Sequence, residues 1–244
     1  MEKVLLVFFL LIWPVLFYLT LRVKAGKAGE LRSLPGITEV SQSIGHSAET
    51  GQPLHVSVGV AGVGGAATAE TWAGLSLLSQ IADKAAACDT SLIVTVADAT
   101  ALPIAQDLVR RAYTRHGNPE GYDPTQVRFI APVPMAYAAG VMGLLERQPL
   151  MANVMVGTFG DEYLLMGETG ARRQVPQIVG ATDPQTLPLV YASADHTLIG
   201  EETFAVGAYT KRLPIQIGSL LTEDWARWAV IAVIVIAAIA KIVV

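Results

Sequence analysis

LHVSVGVAGVGGAATAETWAGLSLLSQIADKAAACDTSLIVTVA, residues 54–97, contains a complete strand–helix–strand pattern. A short apolar run, 54–60, leads into a glycine-rich stretch, and apolar residues then recur at helical spacing over 69–87. A second apolar run follows at 91–97. Near-continuous apolar strands joined by a long helix are typical of parallel strands that are covered on both faces. This stretch therefore predicts an α/β fold.

The same alternation continues along the chain in both directions. Further strands are predicted at 127–131, 152–158, 175–181 and 187–193. Further helices are predicted at 38–50, 101–115, 135–147, 161–173 and 198–209, the first of them capped by Thr38 and stopped by Gly51. The fold class is α/β, with a mostly parallel sheet, helices on both faces and a Rossmann-like architecture. The order of the strands cannot be derived from this pattern.

Two apolar segments flank the α/β pattern. Residues 4–21 are eighteen residues without a charge, and residues 228–240 form a second apolar run before Lys241. About 20 apolar residues suffice for a helix to cross a bilayer, and Lys241 can extend its charge toward the interface. We therefore predict N- and C-terminal transmembrane helices around the domain. The predicted boundaries are helix 1 at 1–21, a linker at 22–36, the α/β domain at 37–222 and helix 2 at 223–244.

The basic residues beside the first apolar segment predict the orientation of the domain. Arg22, Lys24, Lys27 and Arg32 follow the segment, against one acid, Glu30. Lys and Arg close to a span tend to stay in the cytoplasm. We expect a two-pass protein of the bacterial inner or cell membrane whose soluble domain is cytoplasmic. The alternative is a cleaved signal peptide, which the weakly basic N-terminus and the long apolar run disfavour.

Composition excludes some functions. The formal net charge is −4, so a basic surface for nucleic acid is not expected. Cys88 is the only cysteine, so no disulfide can form within the chain. The chain has no H-E-x-x-H motif, no nucleophile elbow and no P-loop. We predict no catalytic residue, no metal and no cofactor.

The glycine-rich turn at 59–68 is the first candidate site. Residues Gly62 to Ala67 match the pattern G-x-G-x-x-A between a strand and a helix. In Rossmann domains this turn holds a pyrophosphate at the helix N-terminus. The acid expected about 20 residues further on is absent, and Asp98 comes 36 residues after Gly62. The alternative is a Gly/Ala turn that lets the helix pack close to the sheet.

Polar residues at the predicted ends of strands form the second candidate set. Ligands bind at the carboxyl ends of parallel strands, although Asp and Thr at these positions also serve as helix caps. With the glycines, the candidate cofactor-binding residues are Gly62, Gly64, Gly65, Asp98, Thr158, Asp161 and Asp195. Thr100, Thr182, Asp183 and His196 share the same predicted edge. Asp195, His196, Glu201 and Glu202 contain the residue types of a metal or acid–base group, but their spacing matches no metal motif.

Six stretches carry a resemblance to a known family. They are VSQSIGHSAETGQPLHVSVG (40–59), TWAGLSLLSQIADKAAACDTSLIV (71–94), MAYAAGVMGLLERQP (135–149), MVGTFGDEYLLMGETGA (155–171), QIVGATD (177–183) and SADHTLIGEETFAVGAY (193–209). Residues 36–224 resemble an uncharacterised family of prokaryotic membrane-anchored proteins, known only as a domain of unknown function. The resemblance implies one intact domain between anchors. It implies no activity and no role for His46 or His196.

These observations favour a non-enzymatic, membrane-anchored α/β scaffold or assembly subunit. Its expected partners are membrane lipid, through the two helices, and copies of itself or the subunits of a larger membrane complex. The alternative is a small-molecule or nucleotide-binding domain, and so an enzyme, that uses the turn at 59–68 and the carboxylates at strand ends. The sequence identifies no ligand, partner or stoichiometry.

Overall fold

The computed structural model describes residues 2–25, 34–211 and 214–243. The chain divides into two compact units: Ser33–Val206, and Met1–Arg32 together with Gly207–Val244. The strands are β1 (Leu54–Gly59), β2 (Leu92–Val96), β3 (Val127–Phe129), β4 (Ala152–Thr158), β5 (Gln177–Ala181) and β6 (His196–Ile199). The helices are α1 (Glu2–Lys24), α2 (Pro35–Thr50), α3 (Thr68–Ala87), α4 (Ala101–Arg115), α5 (Pro134–Arg147), α6 (Tyr163–Arg172), α7 (Leu187–Ser193), α8 (Glu201–Lys211) and α9 (Pro214–Val243).

The six strands form one sheet in the order β3-β2-β1-β4-β5-β6, and every neighbouring pair is parallel. Because β1 to β5 coincide with the predicted apolar runs, the prediction of an α/β, Rossmann-like parallel sheet is confirmed. Four strands, β1, β2, β4 and β5, are buried along their whole length, apart from Thr158 at the end of β4. This is what covering both faces requires.

Helices pack on both faces of the sheet. Val179 belongs to the apolar cluster that joins the sheet to α5, α6 and α7. Its neighbour Ile178 points to the opposite face, since side chains alternate along a strand. There, a Cβ added to Gly36 of α2 would touch Ile178 at 3.5 Å. In α3, a Cβ on Gly74 would overlap the carbonyl oxygen of Val156, so the missing side chain lets α3 approach the backbone of β4.

The prediction of a strand at 187–193 is wrong. This segment is α7, and the last strand of the sheet is β6, which begins three residues after α7 ends. Pro188 lies in the first turn of α7, where its missing N–H is not needed. Leu187 and Val190 are three residues apart, which is a helical spacing. The short, polar β6 lies at the edge of the sheet and does not show the apolar alternation that was used to recognise strands.

Other boundaries moved by a few residues. The predicted cap Thr38 lies inside α2, which begins at Pro35; the Thr38 hydroxyl donates to the carbonyl of Leu34 at 3.5 Å. Gly51 ends α2 with a left-handed φ of 73°, as predicted. The helix that was predicted at 198–209 begins at Glu201, because residues His196–Ile199 form β6.

In the second unit, α1 and α9 pack against each other. Large apolar side chains stay exposed on both helices, with Trp13 70 % and Trp228 71 % accessible. Within the residues that it describes, the structure contains no helix that is both long and apolar enough to cross a membrane. Large parts of the two predicted spans, including the side chains of 4–11 and 236–240, lie outside the described residues.

Candidate functional site

The strand order reverses between β1 and β4, which is the position where an open parallel sheet offers a crevice for a ligand. Strands β2 and β3 lie on one side of β1 in the sheet, and strands β4, β5 and β6 lie on the other side. In open parallel sheets such a reversal separates the loops at the carboxyl ends of the strands, and ligands bind in the gap. Here the gap lies between the glycine-rich loop after β1 and the turn after β4. This is the predicted location of the candidate site.

The glycine-rich loop is held against the end of β2. A Cβ on Gly62 would overlap the carboxyl group of Asp98. The Val63 N–H donates to the Thr100 hydroxyl at 2.9 Å, and Thr100 in turn donates its N–H to Asp98 at 2.7 Å. The structure therefore brings together two of the predicted residues, Gly62 and Asp98. The 20-residue α3 explains why they are 36 residues apart in the sequence.

These contacts use backbone N–H groups that would otherwise be available to bind an anion. Besides Val63, Gly64 donates its N–H within the loop, to the Thr68 hydroxyl at 2.9 Å. Phosphate binding at such a loop relies on backbone N–H groups that point at the ligand. Gly65 is exposed and a Cβ there would meet open space. The N–H groups of Val63 and Gly64 therefore donate to threonine hydroxyls of the protein and do not point at an anion site.

An acid lies at the edge of the crevice. Glu70, in the first turn of α3, accepts a hydrogen bond from the Thr182 hydroxyl, which follows β5, at 3.3 Å. Its other carboxyl oxygen and the Thr158 hydroxyl are buried and, among the described residues, have no hydrogen-bond partner. A carboxylate here repels a phosphate and favours a hydrogen-bond donor instead. Glu70 was not predicted from the sequence, because it lies inside the first turn of a helix and not at the end of a strand.

The remaining carboxylates do not converge on this crevice. Asp183 accepts from the Gln185 N–H at 3.0 Å, which is a local turn contact, and Asp161 is exposed. Asp195 lies at the start of β6 and accepts from the Gln177 N–H at 2.8 Å. Because 187–193 is a helix, Asp195 and His196 lie at the amino edge of the sheet rather than at the carboxyl edge. That part of the predicted cluster is therefore wrong.

A separate cleft contains His196. It has a volume of about 480 Å³ and is lined in part by Glu39, Gln174, Asp195 and His196. The Nε2 atom of His196 lies 3.7 Å from a carboxyl oxygen of Glu39. Among the residues that the structure describes, no three His, Cys, Asp or Glu side chains are grouped so as to hold a metal ion. The cleft is open, its lining mixes polar side chains with Ala171, Val175 and Pro176, and it contains one imidazole–carboxylate pair among the described residues.

The interior of the sheet contains a polar row that sequence analysis did not find. His55, Asn153 and Gln177 are directly opposite one another on β1, β4 and β5. The His55 Nδ1 atom lies 2.6 Å from Asn153 Oδ1, and the Asn153 amide donates to Gln177 Oε1 at 3.3 Å. Gln177 then donates to two backbone carbonyls, those of Gly167 and Ser193, at 2.9 and 2.8 Å. All three side chains are completely buried.

The row continues on the other side of His55. The Nε2 atom of His55 lies 2.9 Å from the Thr95 hydroxyl, which lies 2.7 Å from the Tyr137 hydroxyl. Tyr137 also lies 2.6 Å from the Ser57 hydroxyl. One assignment satisfies every group: Ser57 donates to Tyr137, Tyr137 to Thr95, Thr95 to His55, and His55 to Asn153. His55 is then the neutral tautomer with its proton on Nδ1.

Burial perturbs both titratable members of the row. It lowers the pKa of His55 to about 4, against a smaller opposing effect of the Asn153 hydrogen bond. It raises the pKa of Tyr137 to about 12. Both groups therefore stay neutral at physiological pH. A buried and internally satisfied network of this kind specifies how the strands and α5 pack, and it presents no reactive group to solvent.

A pair of glycine substitutions tests the bracing of the loop. We expect Gly62→Ala to lower the free energy of unfolding by about 1–2 kcal/mol, because the new methyl group displaces the Asp98 carboxyl from Thr100. Gly65→Ala is the matched control and should stay within about 0.5 kcal/mol of the wild type, as the methyl group enters open space. Urea unfolding followed by circular dichroism measures both. Equal stability of the two variants would show that the Gly62 contact does not stabilise the loop.

The chain belongs to a family described as a domain of unknown function (DUF6754), whose model matches residues 1–244. This confirms the resemblance to an uncharacterised family and extends it from 36–224 to the whole chain. No curated protein and no solved structure matches the chain.

Proposed function

We propose that the protein is a non-enzymatic scaffold or assembly subunit of the prokaryotic cell membrane, held there by α1 and α9. The observation that carries this proposal is the apolar surface of the two helices. Exposed large apolar side chains on α1 and α9 include Trp13, Phe17, Tyr18, Leu21, Ile215, Trp225, Trp228, Ile231 and Ile234. Soluble monomers rarely expose so many together, and such surfaces mark contacts with membranes or other proteins.

The aromatic residues of this surface suit a membrane boundary. Tyr18, Trp225 and Trp228 lie at or near the ends of the apolar runs 4–21 and 228–240, and all three are exposed. Trp and Tyr concentrate where lipid meets water, since their rings are apolar and their N–H or O–H groups are polar. The uncharged segment 4–21 supplies the apolar length for insertion. The basic residues that follow it favour a cytoplasmic location for the α/β domain.

The interior of the α/β domain supports a structural role. Its largest polar cluster, the row through His55, is closed and internally satisfied. Glu70 places negative charge beside the crevice where a nucleotide phosphate would bind. A domain that is tethered by two helices gains effective concentration for lateral contacts with its neighbours. Self-association, or assembly with other membrane subunits, follows from that geometry.

A fractionation experiment tests the proposal. Full-length protein in its native membranes should stay in the pellet after washing with alkaline carbonate, and mild detergent should release an oligomer or complex by mass photometry. A cysteine substituted for exposed Asp123, in a Cys88→Ser background, should resist labelling by an impermeant maleimide in intact cells and react after lysis. Release by carbonate, or a monomer without co-purifying partner, would exclude the scaffold function. Labelling in intact cells would reverse the topology.

A second function is favoured by the strand order. The order β3-β2-β1-β4-β5-β6 is that of dinucleotide-binding domains, with the glycine-rich loop after β1 and Asp98 after β2. A small molecule with hydrogen-bond donors would suit Glu70 and Thr158. Mass spectrometry of denatured, purified protein detects such a ligand. A stoichiometric nucleotide or other small molecule would favour this function over the scaffold.

A further inference from the structure

Helix α5 has a face of small residues next to the edge of the sheet. Ala139, Gly140 and Gly143 lie on one face, since residues three and four apart are neighbours on a helix surface. Gly140 has a packing reason, because a Cβ there would overlap the side chain of Ile130. Gly143 has none, because a Cβ there would meet open space. Glycine is unfavourable inside a helix, so Gly143 keeps this space open although it weakens α5.

The open space is a groove between α5 and β3, which we call the α5–β3 groove. Its volume is about 340 Å³, and its lining includes Arg128, Ile130, Gly140, Gly143, Leu144 and Arg147. Arg128 belongs to β3, and Ile130 directly follows that strand. Because these two residues are two positions apart, their side chains point to the same face of the sheet, which is the face that α5 covers. The end of the edge strand is therefore one wall of the groove.

The charged side chains that line the groove are both arginines. Arg128 donates from Nε to the carbonyl oxygen of Thr125 at 3.1 Å, and it makes no other hydrogen bond or ion pair with the described residues. Arg147 is exposed and makes none with that part of the chain. Asp123, the acid nearest to Arg128 in the sequence, directs its carboxyl group to Thr125. The groove is therefore positively charged, and an acidic group complements it.

The backbone beside the groove is available to one more strand. Strand β3 is at the edge of the sheet and pairs with β2. This ladder continues to Ile130, whose N–H donates to the carbonyl oxygen of Val96 at 3.1 Å. Backbone groups alternate in direction along a strand, so the N–H and C=O of Phe129 point away from β2, and the Phe129 residue is 41 % exposed. An exposed edge of this kind can pair with an extended peptide.

We propose that the α5–β3 groove binds an extended acidic segment of a partner protein. The segment pairs with the backbone of Phe129, and its alternate side chains enter the groove, where carboxylates meet Arg128 and Arg147. A second copy of β3 would bring its own Arg128 and Arg147 to the groove, so like charges disfavour self-pairing here. This inference goes beyond the proposed function, because it depends on the α/β unit and not on α1 or α9.

Peptide binding tests the chemistry of the partner. Full-length protein in a non-ionic detergent is titrated into a fluorescein-labelled peptide of alternating threonine and glutamate, and fluorescence anisotropy is measured. Binding should be saturable and should weaken as salt is added. A peptide with lysine in place of glutamate should bind at least tenfold more weakly. A peptide with proline in place of threonine should also bind at least tenfold more weakly, since it keeps the charge but cannot form a regular strand ladder.

Variants of the protein test the location. Gly143→Leu should lower the affinity for the glutamate peptide at least tenfold, because the new side chain fills the groove. Gly45→Leu is the matched control and should leave the affinity unchanged, since Gly45 lies in α2, where a Cβ also meets open space. Arg147→Glu should lower the affinity at least fivefold. Arg173→Glu should leave it unchanged, because Arg173 is exposed but lies after α6 and does not line the groove.

Urea unfolding identifies variants that are folded, and Gly143→Ala replaces Gly143→Leu if the larger side chain disrupts α5. Alanine favours the helix, so this variant should be at least as stable as the wild type and should still weaken peptide binding. Three results would each overturn the proposal: no binding of the glutamate peptide, equal binding of the lysine peptide, or no effect of the folded Gly143 and Arg147 variants. Equal binding of the proline peptide would also overturn it, because the groove would then bind anions without a strand.

Discussion

Val156→Asp should abolish cooperative folding of the α/β unit or lower its free energy of unfolding by about 4 kcal/mol. Val156 is 1 % exposed in the centre of β4, beside Gly180 of β5 and below Gly74 of α3. An aspartate there would be buried without a partner, against a total stability of about 5–15 kcal/mol for a typical domain. Val94→Asp, at the equally buried centre of β2, should behave in the same way.

Val133→Asp is the matched control. Val133 is 57 % exposed and occupies the N-cap position of α5 with extended backbone angles. An aspartate at this position can accept a hydrogen bond from the first turn, so the variant should be as stable as the wild type or about 1 kcal/mol more stable. Urea unfolding monitored by tryptophan fluorescence and circular dichroism measures all three variants. Normal melting of Val156→Asp would mean that β4 is not a central strand.

Protonation of His55 should contribute to the destabilisation of the protein in acid. Because burial lowers the folded-state pKa of His55 to about 4, the unfolded chain, with a pKa near 6.5, binds a proton that the folded protein excludes. The resulting stability is fully present above pH 6.5 and is lost progressively as the pH falls toward 4. Between pH 7.5 and 4.5 the loss from this one group should be about 2.5 kcal/mol.

A glutamine at this position separates the titration from the packing. Gln can replace both hydrogen bonds of His55, to Asn153 and Thr95, but has no proton to gain. The acid-dependent loss of stability should therefore be about 2.5 kcal/mol smaller in His55→Gln than in the wild type. His46→Gln is the control, since the His46 side chain is 65 % exposed. If His55→Gln loses as much stability in acid as the wild type, His55 is not neutral and buried in the folded state.

Sequence periodicity was sufficient for most of the fold. The strands β1, β2 and β4 and the helices α3 and α4 were predicted within one or two residues, because each is long and its apolar pattern is set by local geometry. Periodicity gave the wrong prediction for α7 and did not predict β6. There the elements are short, and the hydrogen bonds that make β6 a strand come from β5, which no local pattern contains.

The site was only partly predictable for the same reason. The glycine-rich turn and Asp98 could be found, since each lies at the end of an apolar strand. That His55, Asn153 and Gln177 form one row depends on which strands are neighbours and in what register. Polar residues inside apolar strands were visible in the sequence. That they form one row could be inferred only once the order of the strands was known.

The sequence by itself determined the fold class and the apolar character of both flanking helices, because these depend on composition and period. Only the tertiary structure decided that β1 lies between β2 and β4, that Asp195 and His196 are at the opposite edge from Asp98, and that α1 packs against α9. Each of these is a contact between residues far apart in the chain. Such contacts depend on the packing of the whole molecule, so they cannot be predicted from the residues that are neighbours in the sequence.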